Sequence, residues 1–160
     1  IGSNVVIGGG SVVVKDIPDG ATIAIPNDPT NGGRGLLLLQ RAGLLKLKDG
    51  VGMKATPKDV VDNPKHLKFK ELEAAQLPRS LADVDAAAIT MNYVMSGGLD
   101  VKKQNIFLEP KDEPLAVMII AARNKDKDKE AYKAFVKAYQ SEAVKKFIAD
   151  KYKGTIEPAF

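Results

Sequence analysis

The sequence predicts an α/β protein, an open sheet with helices on both faces, and three observations carry that expectation. A β-branched run, Thr22 to Ile25, stops at Pro26, and a loop dense in Asn, Asp, Pro and Gly then delivers the chain to a long apolar helix. Further on, short apolar or alternating runs keep returning between helical stretches, the rhythm of strands joined by crossover helices. One of these runs, LAVMIIAA over 115–122, is uninterrupted, as suits a central strand covered on both sides.

Taken in order, residues 1–18 repeat Ile1-Gly2, Ile7-Gly8 and Val13-Val14 every six positions. That pattern resembles the hexapeptide repeat of β-helical acyltransferases. It amounts to about one coil, and one coil cannot bury its faces without stacked neighbours, so the expected fate of this piece is a β-strand. After the strand at 22–25, Pro29 biases Asp28 away from helical angles and Thr30 is the expected N-cap of the helix. The amides of Asn31, Gly32 and Gly33 would then lie open at a positive helix end with Arg34 beside them, a constellation that suits a carboxylate or phosphate. The four leucines 36–39 make this helix apolar nearly all round, hence buried, and Gly43 offers its C-cap. Asp49-Gly50 marks a turn. Thr56-Pro57 opens a short helix expected through Val61, which Asn63-Pro64 ends. Residues 67–72 alternate as a half-exposed strand should, 77–82 reads as another short helix, and DAAAIT at 85–90 is a small-residue strand. Asn92 and Tyr93 begin a short helix closed by Gly97-Gly98, and 106–108 is expected to be an apolar strand. Tyr132, Phe135, Val136 and Tyr139 recur at helical spacing, then Ser141 caps a helix whose Val144, Phe147 and Ile148 form one face. These aromatics are expected in a core.

Composition narrows the function. Hydrophobic residues make up 44% and charged residues 28% of the 160, the balance of a soluble globular protein, long enough for one domain and short for two complete lobes. The net charge of +4 is spread along the chain and its densest run, NKDKDKEAYK from Asn124, mixes both signs, which argues against a nucleic-acid patch. Zero cysteines exclude disulfides and thiol nucleophiles. No signal peptide, lipobox cysteine or apolar run of membrane-spanning length is present. The lone His66 follows a turn and has no partner suited to a metal site. Asp59, Asp62, Asp83 and Asp85 sit at helix starts and strand ends, where capping accounts for them. With no GxSxG, P-loop or GxGxxG motif, neither an enzymatic activity nor a cofactor is expected.

PNDPTNGGR, then LLLLQRAGLLKLKDGVG, then DVVDNPKHLKFKELEAAQLPRSL, resembles the MetQ-type lipoproteins of the NlpA family, substrate-binding components of methionine ABC importers, from about residue 19 to residue 160. The resemblance implies a fold of the type II periplasmic binding protein kind with an incomplete first lobe. It implies the second lobe over 19–114 and the return strand and terminal helices of the first lobe over 115–160, with 1–18 a hexapeptide-like segment outside the likeness. It places the ligand-carboxylate arginine at Arg34 and two ligand-contacting positions at Thr90 and Val117, where the family has asparagines. Asn92, two residues beyond Thr90, could supply a substitute amide, whereas Val117 can make no polar contact. The implied ligand is a small amino acid such as methionine. The implied partner is a membrane permease, and the implied place is outside the cytoplasm, periplasmic or membrane-anchored. No nucleic-acid partner is implied, and an uncovered apolar face on the 115–122 strand would favour a homo-oligomer. Two rival readings are a hexapeptide acyltransferase relative and a structural module without ligand. In the second, Arg34 would face solvent or pair with a neighbouring carboxylate, and no cleft would open above the 26–34 loop.

Overall fold

A computed structural model of the chain describes residues 5–8, 17–100, 107–109, 117–154 and 156–160. The chain divides into two compact units, residues 1–111 and 112–160.

The first unit is built on a parallel four-stranded sheet in the order β1, β6, β2, β5. These strands are β1 (Val5–Gly8), β2 (Thr22–Pro26), β5 (Lys68–Leu72) and β6 (Ala86–Ile89). A two-stranded antiparallel ribbon, β3 (Lys46–Leu47) with β4 (Val60–Asp62), stands beside the sheet order as a separate pairing. Among its described residues the unit also has helices α1 (Asn31–Arg41), α2 (Leu77–Ser80) and α3 (Met91–Ser96). The sheet is covered on both faces. On one, Ile23, Ile25, Ala86 and Ala88 pack with Leu36 and Leu39 of α1; on the other, Ala24, Ala87 and Ile89 pack with Leu77, Leu81 and Val94. Parallel strands enclosed in this way read as unbroken apolar runs rather than alternations, which is why all four residues of β6 are buried. β5, at the edge, pairs with β2 alone and keeps a half-exposed pattern. Part of the 1–18 stretch becomes β1, in parallel register with β6; its repeat positions at 1–2 and 13–14 lie outside the described residues.

The ends of α1 follow from local chemistry. Gly43 adopts φ +72°, where a side chain would be strained. Its amide donates to the Gln40 carbonyl at 2.9 Å and that of Leu44 to the Leu39 carbonyl at 3.0 Å, the pair of bonds that closes a helix on a left-handed glycine. Small residues set how near the helix lies to its neighbours. A Cβ on Gly35 would stand 3.1 Å from Ala88 Cβ, and one on Gly33 would lie 2.6 Å from the Met53 carbonyl carbon.

Four expectations are corrected. The helix expected over 57–61 is a single 3-10 turn, Pro57–Asp59, after which β4 begins. Val60 and Val61 are β-branched, and the Lys48 amide donates to the Asp59 carbonyl at 2.8 Å, so the chain gains ladder bonds beside β3 that a continued helix would forgo. The strand expected at 115–122 is not one: residues 117–122 have no regular structure, with Met118 93% and Ile119 81% exposed, while 115 and 116 lie outside the described residues. Residues 107–109 are likewise irregular, and 106 lies outside the described residues. Extended backbone keeps its hydrogen bonds only beside another strand, and the described residues of the second unit include none.

The described residues of that unit include two helices, α4 (Glu130–Tyr139) and α5 (Glu142–Tyr152). Both helices form as their periodicity predicts, and the Ser141 hydroxyl accepts from the Val144 amide at 3.4 Å as a cap. Their aromatics are not core, which is the fourth correction: neither helix has a buried residue, and Tyr132, Phe135, Tyr139 and Phe147 are about half exposed. Amphipathic spacing shows that a helix has an apolar face and leaves open whether anything covers it.

Replacing Gly33 with alanine drives a methyl into the backbone at Met53. The variant is expected to lose roughly 1–3 kcal/mol of stability, the usual cost of overpacking a tight site, read as a lower midpoint in urea.

Candidate functional site

Adjacent parallel strands whose following helices depart to opposite faces leave a crevice at their carboxyl ends. β2 and β6 are such a pair: beyond Pro26 the chain rises to α1 on one face, and beyond Ile89 it enters α3 on the other. Pro26, Arg34, Ala88, Thr90 and Glu109 line the cleft between them. It has a volume of about 20 Å³, room for about one water molecule.

The loop before α1 differs from expectation at its cap. Thr30 has helical dihedrals and its side chain makes no capping bond. Asp28 does that work from a position ahead of Pro29, its Oδ1 accepting from the Asn31 amide at 2.9 Å and the Thr30 amide at 3.2 Å, and its two oxygens from Asn31 Nδ2. The Gly32 amide donates to the Asp28 carbonyl at 2.9 Å, and Gly33 is backed by the Met53 carbonyl. An open row of amides waiting for an anion is therefore absent, because a carboxylate of the chain already occupies the positive helix end. Burial pushes the Asp28 carboxyl upward, but the bonds it accepts from the Asn31 amide, the Asn31 side chain and the Thr30 amide outweigh that and hold it below the usual range.

Arg34 remains as the cation of the cleft. Its Nε donates to Oε1 and Oε2 of Glu109 at 3.0 and 3.1 Å, and its Nη2 donates to Oε2 as well. The Glu109 side chain is only 6% exposed and that of Arg34 23%, so the pair is largely withdrawn from water. Sequence reading missed Glu109. The two residues are 75 positions apart, and the sole signal is an acidic residue directly after an apolar run. Of the two marks expected of a module without ligand, the pairing of Arg34 with a carboxylate is present, yet a cleft opens beside it.

Thr90 joins Arg34 at this cleft, and its Oγ1 is buried without a hydrogen-bond partner. A buried hydroxyl left in that state costs about 1–3 kcal/mol relative to one that is bonded. Asn92 is exposed on α3 and is not among the lining residues. Val117 falls in the second unit and is 42% exposed. His66 lies at the surface, its Nδ1 2.8 Å from Asp19 Oδ1 with both side chains largely in solvent. Asp59 accepts from the Thr56 amide and hydroxyl at 2.8 Å and so closes its own turn, while Asp85 accepts from the Thr22 amide at 2.8 Å and so ties the approach to β6 to the start of β2. Among the described residues no cluster of His, Asp and Glu could hold a metal ion, and no helix is long and apolar enough to cross a membrane.

The chain is similar to known proteins over nearly its whole length. A family model described as NlpA lipoprotein matches residues 12–160. The D-methionine-binding lipoprotein MetQ of Escherichia coli O157:H7 is 53% identical over 133 residues, covering 82% of this chain and 49% of the relative. The chain thus spans about half the length of the curated relatives it matches. A solved nutrient-binding protein from Burkholderia cenocepacia bound to methionine superposes with a TM-score of 0.84 at 47% identity, covering 95% of this chain and 66% of that one. A periplasmic substrate-binding protein of an ABC transporter from Coxiella burnetii gives a TM-score of 0.82 at 38% identity, covering 94% and 65%.

Asp28→Ala removes the cap of α1 and is expected to cost about 1 kcal/mol at neutral pH. Because the folded carboxyl titrates below its unfolded value, that contribution is fully present above the ordinary value of 3.8 and fades as pH falls through the lower folded one. Denaturation of both proteins from pH 7 to pH 2 checks this; a gap that widens in acid would contradict it.

Proposed function

Because the chain belongs to the NlpA lipoprotein family, we propose that it carries part of the substrate-binding component of an ABC importer and holds a small amino acid such as methionine by its carboxylate. One observation carries the reading: Arg34 and the unpartnered Thr90 hydroxyl line one cleft at the carboxyl ends of two adjacent parallel strands. A guanidinium edge and a hydroxyl together match the oxygens of a carboxylate. The names of the relatives support methionine as the ligand. The same reading assigns residues 19–114 to one lobe and 115–160 to part of another, with Asn92 an auxiliary polar contact from α3. It places the protein outside the cytoplasm, periplasmic or membrane-anchored, working with a membrane permease. Self-association belongs to the reading too, supported by the apolar surface of Met118, Ile119, Phe135 and Phe147. An acyltransferase role is not favoured, since β1 joins the sheet beside β6 and the similar proteins are binding lipoproteins.

The cleft is too small to enclose an amino acid, and ligands bind tightly when most of their surface is buried. Calorimetric titration of this chain with methionine is therefore expected to give an affinity weaker than about 1 µM, and Arg34→Gln to weaken it by a further tenfold or more, in line with the loss of about 1.5–3 kcal/mol from a charged hydrogen bond. Sub-micromolar binding would refute the expected weakness, and binding indifferent to Arg34 would refute the assignment.

A further inference from the structure

We propose that Glu109 is the ammonium-binding residue of this cleft, so that Arg34 and Glu109 together select a zwitterion over a simple carboxylate. The inference rests on the carboxylate site proposed above. A guanidinium carries five N–H donors arranged as two usable edges. Glu109 takes the edge formed by Nε and Nη2, and among the described residues no hydrogen bond reaches Nη1. The edge formed by Nη1 and the second hydrogen of Nη2 is left for another carboxylate. A carboxylate docked there lies beside Glu109 Oε2, which is already bonded to Nη2.

Charge decides what can follow. The Arg34 and Glu109 pair is neutral as a unit and nearly excluded from water. Adding a bare carboxylate makes the cluster net negative and sets two anions side by side, which a poorly solvated site disfavours. An α-amino acid brings its own ammonium one carbon away from its carboxylate. With the carboxylate on the open guanidinium edge, that ammonium falls toward Glu109 and the four charges alternate in sign. The Thr90 hydroxyl, buried at the same cleft without a partner, donates to a free lone pair on one of the carboxylate oxygens. Glu109 thus orients the guanidinium and receives the ligand's cation, and the pair stays intact throughout.

The experiment is an NMR titration of the full chain, which reads weak affinities, with methionine and with the acid that has the same side chain but lacks the amino group. Methionine is expected to bind at least about tenfold more tightly, the effect of one charged hydrogen bond. Glu109→Gln is expected to close that gap by weakening methionine while the deaminated acid binds equally well or better. Glu109→Asp, which keeps the charge, is expected to retain the preference. Equal binding of the two ligands by the native chain would overturn the inference and leave the Arg34 grip standing, and this comparison needs no variant should Glu109→Gln fail to fold. Methionine binding tightened by Glu109→Gln would show the glutamate to be a competitor and would also overturn it. Binding of neither ligand would remove both this inference and the carboxylate site.

Discussion

The first unit depends on how closely α1 can approach the sheet. Gly35 rides over Ala88, and Gly33 lies against the backbone at Met53, with no side chain between helix and neighbour at either point. The β6 residues beneath are alanines for the same reason. Bulk at any of these positions would lift the helix, and protein interiors have little slack to absorb such a change. Arg34 sits between these two glycines in sequence, so the tight fit fixes where its guanidinium is presented. Packing and charge placement at the cleft are one constraint.

Electrostatics at the start of α1 divides between two carboxylates with different tasks. Asp28 neutralises the positive helix end from within its own loop, accepting from consecutive amides. Glu109 arrives from a distant part of the chain and neutralises a side chain. With the helix end already capped, the attraction left for an anion in the cleft comes from one edge of Arg34 and the Thr90 hydroxyl. The proposed site discriminates by matching charges in pairs more than by bulk attraction.

Much of this was legible in the sequence because it rests on local rules. The β2 strand, its Pro-rich exit, the buried leucine helix ended by Gly43, the small-residue β6 and the Ser141 cap all follow from patterns a few residues long. So did the meeting of the 26–34 loop with Thr90, since strand ends in an α/β sheet converge by topology. What escaped was decided by competition or distance. Thr30 and Asp28 are both good caps, and only the backbone turn at Pro29 puts Asp28 in reach. The valines after Pro57 suit either a helix or a strand until the 46–47 partner is known. Glu109 could not be assigned to Arg34 by any local signal, and the aromatic faces of α4 and α5 look the same in sequence whether or not they are covered.

Those two helices have a consequence for motion. Each is ten or eleven residues long, a length at which helices are marginal in water without packing, and neither buries a residue. The exposed pairs Glu130 with Lys133 and Glu142 with Lys145 add little. Backbone amides there should trade deuterium with solvent through local opening, at rates set by each helix alone, while those of β2 and β6 wait for the sheet itself to come apart. The chain therefore carries two clocks, a fast one in its last forty or so residues and a slow one in its sheet.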